Sequence, residues 1–125
     1  MQSILGTTRK ADITFHKGGR INISAHIAKQ LDLNNGDVID IMMERGEYYL
    51  YVKHRAPLAG RHEGMVLKSN RYGMHCVASS IKLCNAMMAE CKCDEDADLL
   101  KLPIGAAVEL PNIGTALPII TRLKL

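Results

Sequence analysis

Apolar and polar residues alternate from Arg20 to Ser24, with Ile21 and Ile23 on one side and Arg20 and Asn22 on the other, the two-residue period of a half-buried strand. Upstream, Ala11 to Phe15 alternates more weakly. His16-Lys17-Gly18-Gly19 between the two runs is a turn in which glycine can supply positive φ. The pair reads as a hairpin with a basic tip. The period then changes: Ile27, Ala28 and Leu31 share one face of a helix of about two turns, and Ser24 is placed to accept a free amide of its first turn. So short a helix must pack on a sheet, and Leu33 extends the apolar contact past its end. Asn34-Asn35-Gly36-Asp37 is a turn signal. Val38, Ile39, Ile41 and Met42 alternate imperfectly with acidic residues in a strand to Glu44; Arg45-Gly46-Glu47 reverses the chain, and Tyr48 to Lys53 is the antiparallel partner.

Residues of about 55–63, charged and carrying Pro57 and Gly60, read as a linker, after which the same order of signals begins again. Setting Gly19 against Gly73, 54 positions later, aligns Lys17 with Arg71, Ile23 with Val77 and Ile27 with Ile81 without a gap. Ser79 or Ser80 then caps a second helix. Beyond it, the acidic stretch from Cys91 to Asp98 replaces the compact Asn-Asn-Gly-Asp turn. Two apolar segments, 99–110 and 115–123, are expected to form a second closing hairpin, with Pro103, Pro111 and Pro118 confined to edges or strand starts. The sequence predicts one domain over 1–125, mainly β with two short helices, made of two pseudo-repeats of about 11–54 and 64–123.

At 125 residues and 13.8 kDa the chain is one domain, or two very small halves sharing one core. With 47% hydrophobic and 23% charged residues it is globular, and one Phe and no Trp leave the core to aliphatic residues and argue against a base-stacking surface for single strands. The net charge of +3 permits a polyanionic partner without requiring one. No apolar run approaches the roughly 20 residues that cross a bilayer, and the start lacks the apolar core of a secretory signal. A cytoplasmic protein without a membrane partner is expected, with Cys76, Cys84, Cys91 and Cys93 as thiols.

Lys17-Gly18-Gly19-Arg20-Ile21-Asn22-Ile23, the helix from Ala25 to Leu31, Leu33, Gly36-Asp37 and the strand pair ending at Tyr51-Val52 resemble the AbrB-like, or SpoVT-AbrB, family of bacterial and archaeal DNA-binding modules, which includes antitoxins similar to MazE. The resemblance covers about a third of the chain. It implies a swapped-hairpin barrel, each of two units giving strands and one short helix, with basic residues on one side contacting DNA. Two features depart from the family: Ser24 stands where proline is usual, and the units lie in tandem where most members pair as homodimers. Here both pseudo-repeats of one chain would build the barrel, and a homodimer of the whole chain stays open.

Arg9, Lys10, Lys17 and Arg20 gather round the first hairpin, and Lys68 and Arg71 join them if the halves pair face to face. Such a ridge can lie along duplex phosphates and release their counterions. Asn22 and Ser24 point away from the apolar side, placed to donate to a base edge or phosphate. His16 and His26 can adjust charge near pH 6.5. Cys91-Lys92-Cys93 has too few residues between its thiols for a zinc knuckle, so no metal or cofactor is expected; Cys84, Met88 and Cys91 share helical spacing with Ile81, and Cys84 and Cys91 are expected as small core residues. The acidic run from Asp94 to Asp98 is expected on a side away from the basic hairpin.

Two functions follow. One is a DNA-binding transcriptional regulator of AbrB-like type acting on double-stranded DNA. The other is an antitoxin-like or phage-type accessory module with a toxin-like protein partner and no direct DNA role, whose C-terminal segment can add a strand. No nucleophile or acid/base constellation points to an enzyme.

Overall fold

The computed structural model describes residues 11–56, 59–60, 62–69 and 75–125. Strands β1 (Ile13–His16) and β2 (Arg20–Ile23) form the first hairpin, followed by helix α1 (Ala25–Gln30) and the hairpin of β3 (Val38–Glu44) and β4 (Glu47–His54). The second half supplies β5 (Val66–Ser69), β6 (His75–Ser79), helix α2 (Ile81–Glu90), β7 (Leu99–Leu102), β8 (Val108–Leu110) and β9 (Gly114–Ile119). The fold is mainly β, in two antiparallel sheets ordered β5-β6-β2-β1-β7 and β3-β4-β9-β8.

Alternation places the core as the sequence suggests. Ile13, Phe15, Ile21 and Ile23 of the five-stranded sheet are fully buried and join Leu50 and Leu117 of the other sheet in one cluster. Ile27, Ala28 and Leu31 from α1 and Cys84 and Met87 from α2 complete it. Both helices begin at a serine, whose hydroxyl accepts the N–H three residues on: Ser24 from Ile27 at 3.4 Å, Ser80 from Leu83 at 3.0 Å.

The two halves interleave. β2 pairs antiparallel with β6, and β4 with β9, so each sheet is joined at its centre by strands of different halves. β7, which follows α2, pairs with β1 of the first half. The segment after α1 returns the arrangement, since the Val66 N–H donates to Asp37 O at 2.8 Å and the Ile39 N–H to Gly64 O at 2.9 Å. Helix α1 packs on β6, and α2 on β1 and β2. No helix among the described residues is long and apolar enough to cross a membrane.

Several expectations change here. An antiparallel pair has a local twofold axis at each directly opposed residue pair; taken at Asn22 with Val77, next to the middle of the β2-β6 ladder, it sets the strands in correspondence at 55 positions, where the gapless alignment uses 54. Ile21 then matches Cys76 and Ile23 matches Ala78, all four buried. The helix caps Ser24 and Ser80 stand 56 apart, and Ser79, just before the second cap, is the last residue of β6 and pairs with Arg20. Ile81, aligned with buried Ile27 on the gapless reading, is the first helical residue and is 60% exposed.

The apolar segment 99–110 does not form one strand of a closing hairpin: β7 leaves it to join β1, and only β8 pairs with β9. Pro118 lies inside β9, between β4 and β8, and not at an edge or strand start. Its carbonyl accepts from the Gly105 N–H at 2.8 Å, so its nitrogen, which has no proton to give, faces that irregular segment and costs no ladder bond to β4. Among the described residues neither sheet closes into a barrel. The sheets meet at two corners only, through the bridges Val38 to Met65 and Ile104 to Ile119, where a register shift after Val38 and the amide-free Pro103 interrupt the ladders.

The turn after α1 is held by Asp37, whose side chain is buried. Oδ2 accepts from the Asn34 N–H and from Arg55 Nη1, each at 2.9 Å, and Oδ1 from the Ala56 N–H at 3.0 Å. Arg55 also donates to the helix-end carbonyls of Leu31 at 2.8 Å and Asp32 at 2.6 Å. Burial alone would raise the Asp37 pKa, but the donors Ala56, Asn34 and Arg55 outweigh it and hold the carboxyl below its ordinary 3.8. A depressed carboxyl stabilises the fold above 3.8 and loses that contribution as pH falls. Asp37→Asn should therefore cost about 2 kcal/mol at pH 7, discounted because Arg55 is half-exposed, and appear as a lower urea midpoint with unchanged slope. The gap to the wild type should close as pH drops below 3.8; a midpoint equal to wild type at pH 7 refutes the clamp.

Gly64 crosses tightly over β3: its φ is +84°, and a Cβ there would stand 2.5 Å from Ile39 O. Gly46 has a similar φ of +80° but open space. Gly46→Ala is expected to cost about 1 kcal/mol for the left-handed backbone. Gly64→Ala adds a backbone clash and should exceed about 3 kcal/mol in thermal or urea unfolding; equal costs would show that the crossing is loose.

Candidate nucleic-acid interface

The five-stranded sheet turns its second face away from the core, and pairing places the residues of that face in rows. One row runs Leu67, Val77, Asn22, Thr14, Lys101 across β5, β6, β2, β1 and β7. In the next, Ser79 lies opposite Arg20, and across the turn His16 lies opposite Leu99. Among the described residues neither row holds a carboxylate. Arg20 and Lys101 are exposed, whereas Thr14, His16 and Asn22 are half-buried. The Asn22 amide nitrogen is 3.0 Å from His16 Nε2. Burial and then the Arg20 guanidinium push the His16 pKa below its ordinary 6.5, so its ring stays neutral at pH 7 and can accept that hydrogen bond.

Of the sequence-derived candidates, Arg20 and Asn22 are brought together on this face. Lys17 sits on the turn but is committed elsewhere: its Nζ donates to Glu95 O at 3.0 Å and its backbone N–H to Asp98 O at 2.8 Å. The acidic stretch therefore lies against the basic turn, and the expected segregation of the two charges does not occur. Lys68 is opposite buried Cys76, on the core side of the sheet at its edge, away from Arg20. Arg9, Lys10 and Arg71 lie outside the described residues. Ser24 is occupied as the α1 cap.

Lys101 and Thr14 were missed. Lys101 lies 79 positions after Asn22, and only the pairing of β7 with β1 brings it into the row. The alternation of Leu100 and Leu102 about it was the available signal, without a partner strand attached.

Elsewhere a groove of about 480 Å³ runs between β3 and the start of α2, lined by Asp40, Lys53, His62, Glu63 and Lys82 among others. Its carboxylates are engaged: Asp40 accepts from Tyr51 at 3.4 Å and from the Ile41 N–H at 2.8 Å, and Glu63 from Ser80 Oγ at 2.7 Å and the Lys82 N–H at 3.3 Å. Glu63, in the stretch read as a linker, is thus part of the α2 cap, and the Ser80 hydroxyl is tied up in it. Cys76, Cys84 and Cys91 are buried, and burial raises each thiol pKa, which disfavours the thiolate that reacts or binds metal. No group of metal-ligating side chains occurs among the described residues.

Compared with protein-family models, curated proteins and solved structures, the chain matches none. For the thiols, an aromatic disulfide reagent at pH 8 should label half-buried Cys93 quickly and the three buried thiols only as fast as the fold opens, followed by mass mapping. Equal rates at all four would contradict their core placement.

Proposed function

We propose that the protein is a DNA-binding regulator of AbrB-like type, with both swapped-hairpin units in one chain, and that it meets double-stranded DNA with the outer face of its five-stranded sheet. The observation that carries this reading is the pair of rows, free of carboxylates among the described residues, on which Arg20, Asn22, Thr14 and Lys101 converge from three strands. Cations there can neutralise phosphates, and the amide and hydroxyl groups can reach phosphate oxygens or base edges. The exchange of strands and helices between the halves supports the family reading, since it is the arrangement that the resemblance implies for two units. A protein partner is the second reading, favoured by Leu67 at 59% and Ile81 at 60% exposure.

Fluorescence anisotropy with a labelled random duplex over a salt series separates the two. Binding at about 50 mM salt is expected, with log affinity falling linearly in log salt, and Arg20→Ala should reduce the slope by about 0.9. Absence of binding at that salt, or binding without a slope, removes the DNA reading and leaves the protein partner.

A further inference from the structure

The axis through Asn22 and Val77 relates two unequal sides of the outer face. It carries Asn22 onto Val77 and, through the matching hairpin registers, Thr14 onto Leu67. Beside β5 the Gly36 N–H donates to Val66 O at 2.9 Å and the Val66 N–H to Asp37 O at 2.8 Å, whereas beside β1 the strand β7 sets Lys101 opposite Thr14. One side of the axis in this row therefore offers amide, hydroxyl and ammonium, and the other offers isopropyl and isobutyl. Between the rows, buried counterparts stay apolar while the outer ones change chemistry.

Resting on the DNA reading above, we infer that the DNA face is one-sided: a single chain engages one half-site through the Asn22 side only, with Lys101 of the second half completing the first half's contacts. Strand spacing of about 4.8 Å puts the Lys101 and Asn22 backbones about 10 Å apart across Thr14, so they touch neighbouring positions on one duplex rather than two half-sites a helical turn apart. A symmetrical pair of half-sites needs cations on both sides of the axis, and among the described residues the Leu67 side of this row has none.

The same anisotropy series tests this with two exposed-site variants, each checked for an unchanged thermal midpoint. Lys101→Ala should lower the salt slope by about 0.9 and weaken binding several-fold at low salt. Leu67→Gln, at the counterpart of Thr14, should leave both unchanged. Lys101→Ala with the wild-type slope, or Leu67→Gln weakening binding as much as Lys101→Ala, overturns the one-sided face while DNA binding itself stands. A wild-type chain that binds no duplex instead overturns the DNA reading, and the inference with it.

Discussion

Neither half of this chain can finish its own sheet, and that incompleteness governs the structure. The β1-β2 hairpin has β6 on one flank and β7 on the other, both from the second half. Removing them exposes both edges of the hairpin and uncovers Ile13, Phe15, Ile21 and Ile23, which have no exposure in the assembled fold. Two such halves on separate chains would need to find one another in solution. Joined by a short connection they meet at an effective concentration of roughly millimolar, so the exchange becomes intramolecular. One cooperative unit follows, since the same core residues are contributed across every boundary.

Much of the local structure was legible because its causes are local. Alternation at Arg20 to Ile23, the Ser24 cap, the short stripe of α1 and the Arg45-Gly46 reversal each depend on residues within a few positions. What escaped depends on partners far away. How the halves correspond depends on the pairing of β2 with β6, and the two helix caps, Ser24 and Ser80, stand 56 positions apart without any local pattern recording it. Arg55 and Glu63 looked like linker charges; their partners are Asp37 and Ser80, 18 and 17 positions distant. Lys101 was invisible for the same reason. A strand's neighbour, unlike its period, is not written in its own residues.

Symmetry survives where packing enforces it. Ile21 and Cys76, and Ile23 and Ala78, differ in volume but remain apolar, because a polar atom there would be buried without a partner. On the outer face no such penalty acts, and Asn22 and Val77 or Thr14 and Leu67 differ in kind. The Asp37 clamp follows this division too. In the first half it ties α1, the turn and β4 together through one carboxylate. In the second half the chain between helix and strand is longer and acidic, and its fastening is Lys17 of the opposite hairpin.

On the proposed DNA reading, that last contact bears on how a duplex lies on the sheet. The loop from Asp94 to Asp98 meets the β1-β2 turn, so four carboxylates stand near the end of the sheet that carries Lys17. Phosphates approaching that end meet both repulsion from the carboxylates and a lysine whose ammonium already has an acceptor. Arg20 is nearest this boundary and Lys101 lies two residues further along β7 from Leu99, which faces His16 at the turn. Attraction therefore grows from the turn toward the middle of the sheet, across Thr14 and Asn22. The acidic loop thereby limits how far along the hairpin a polyanion can settle.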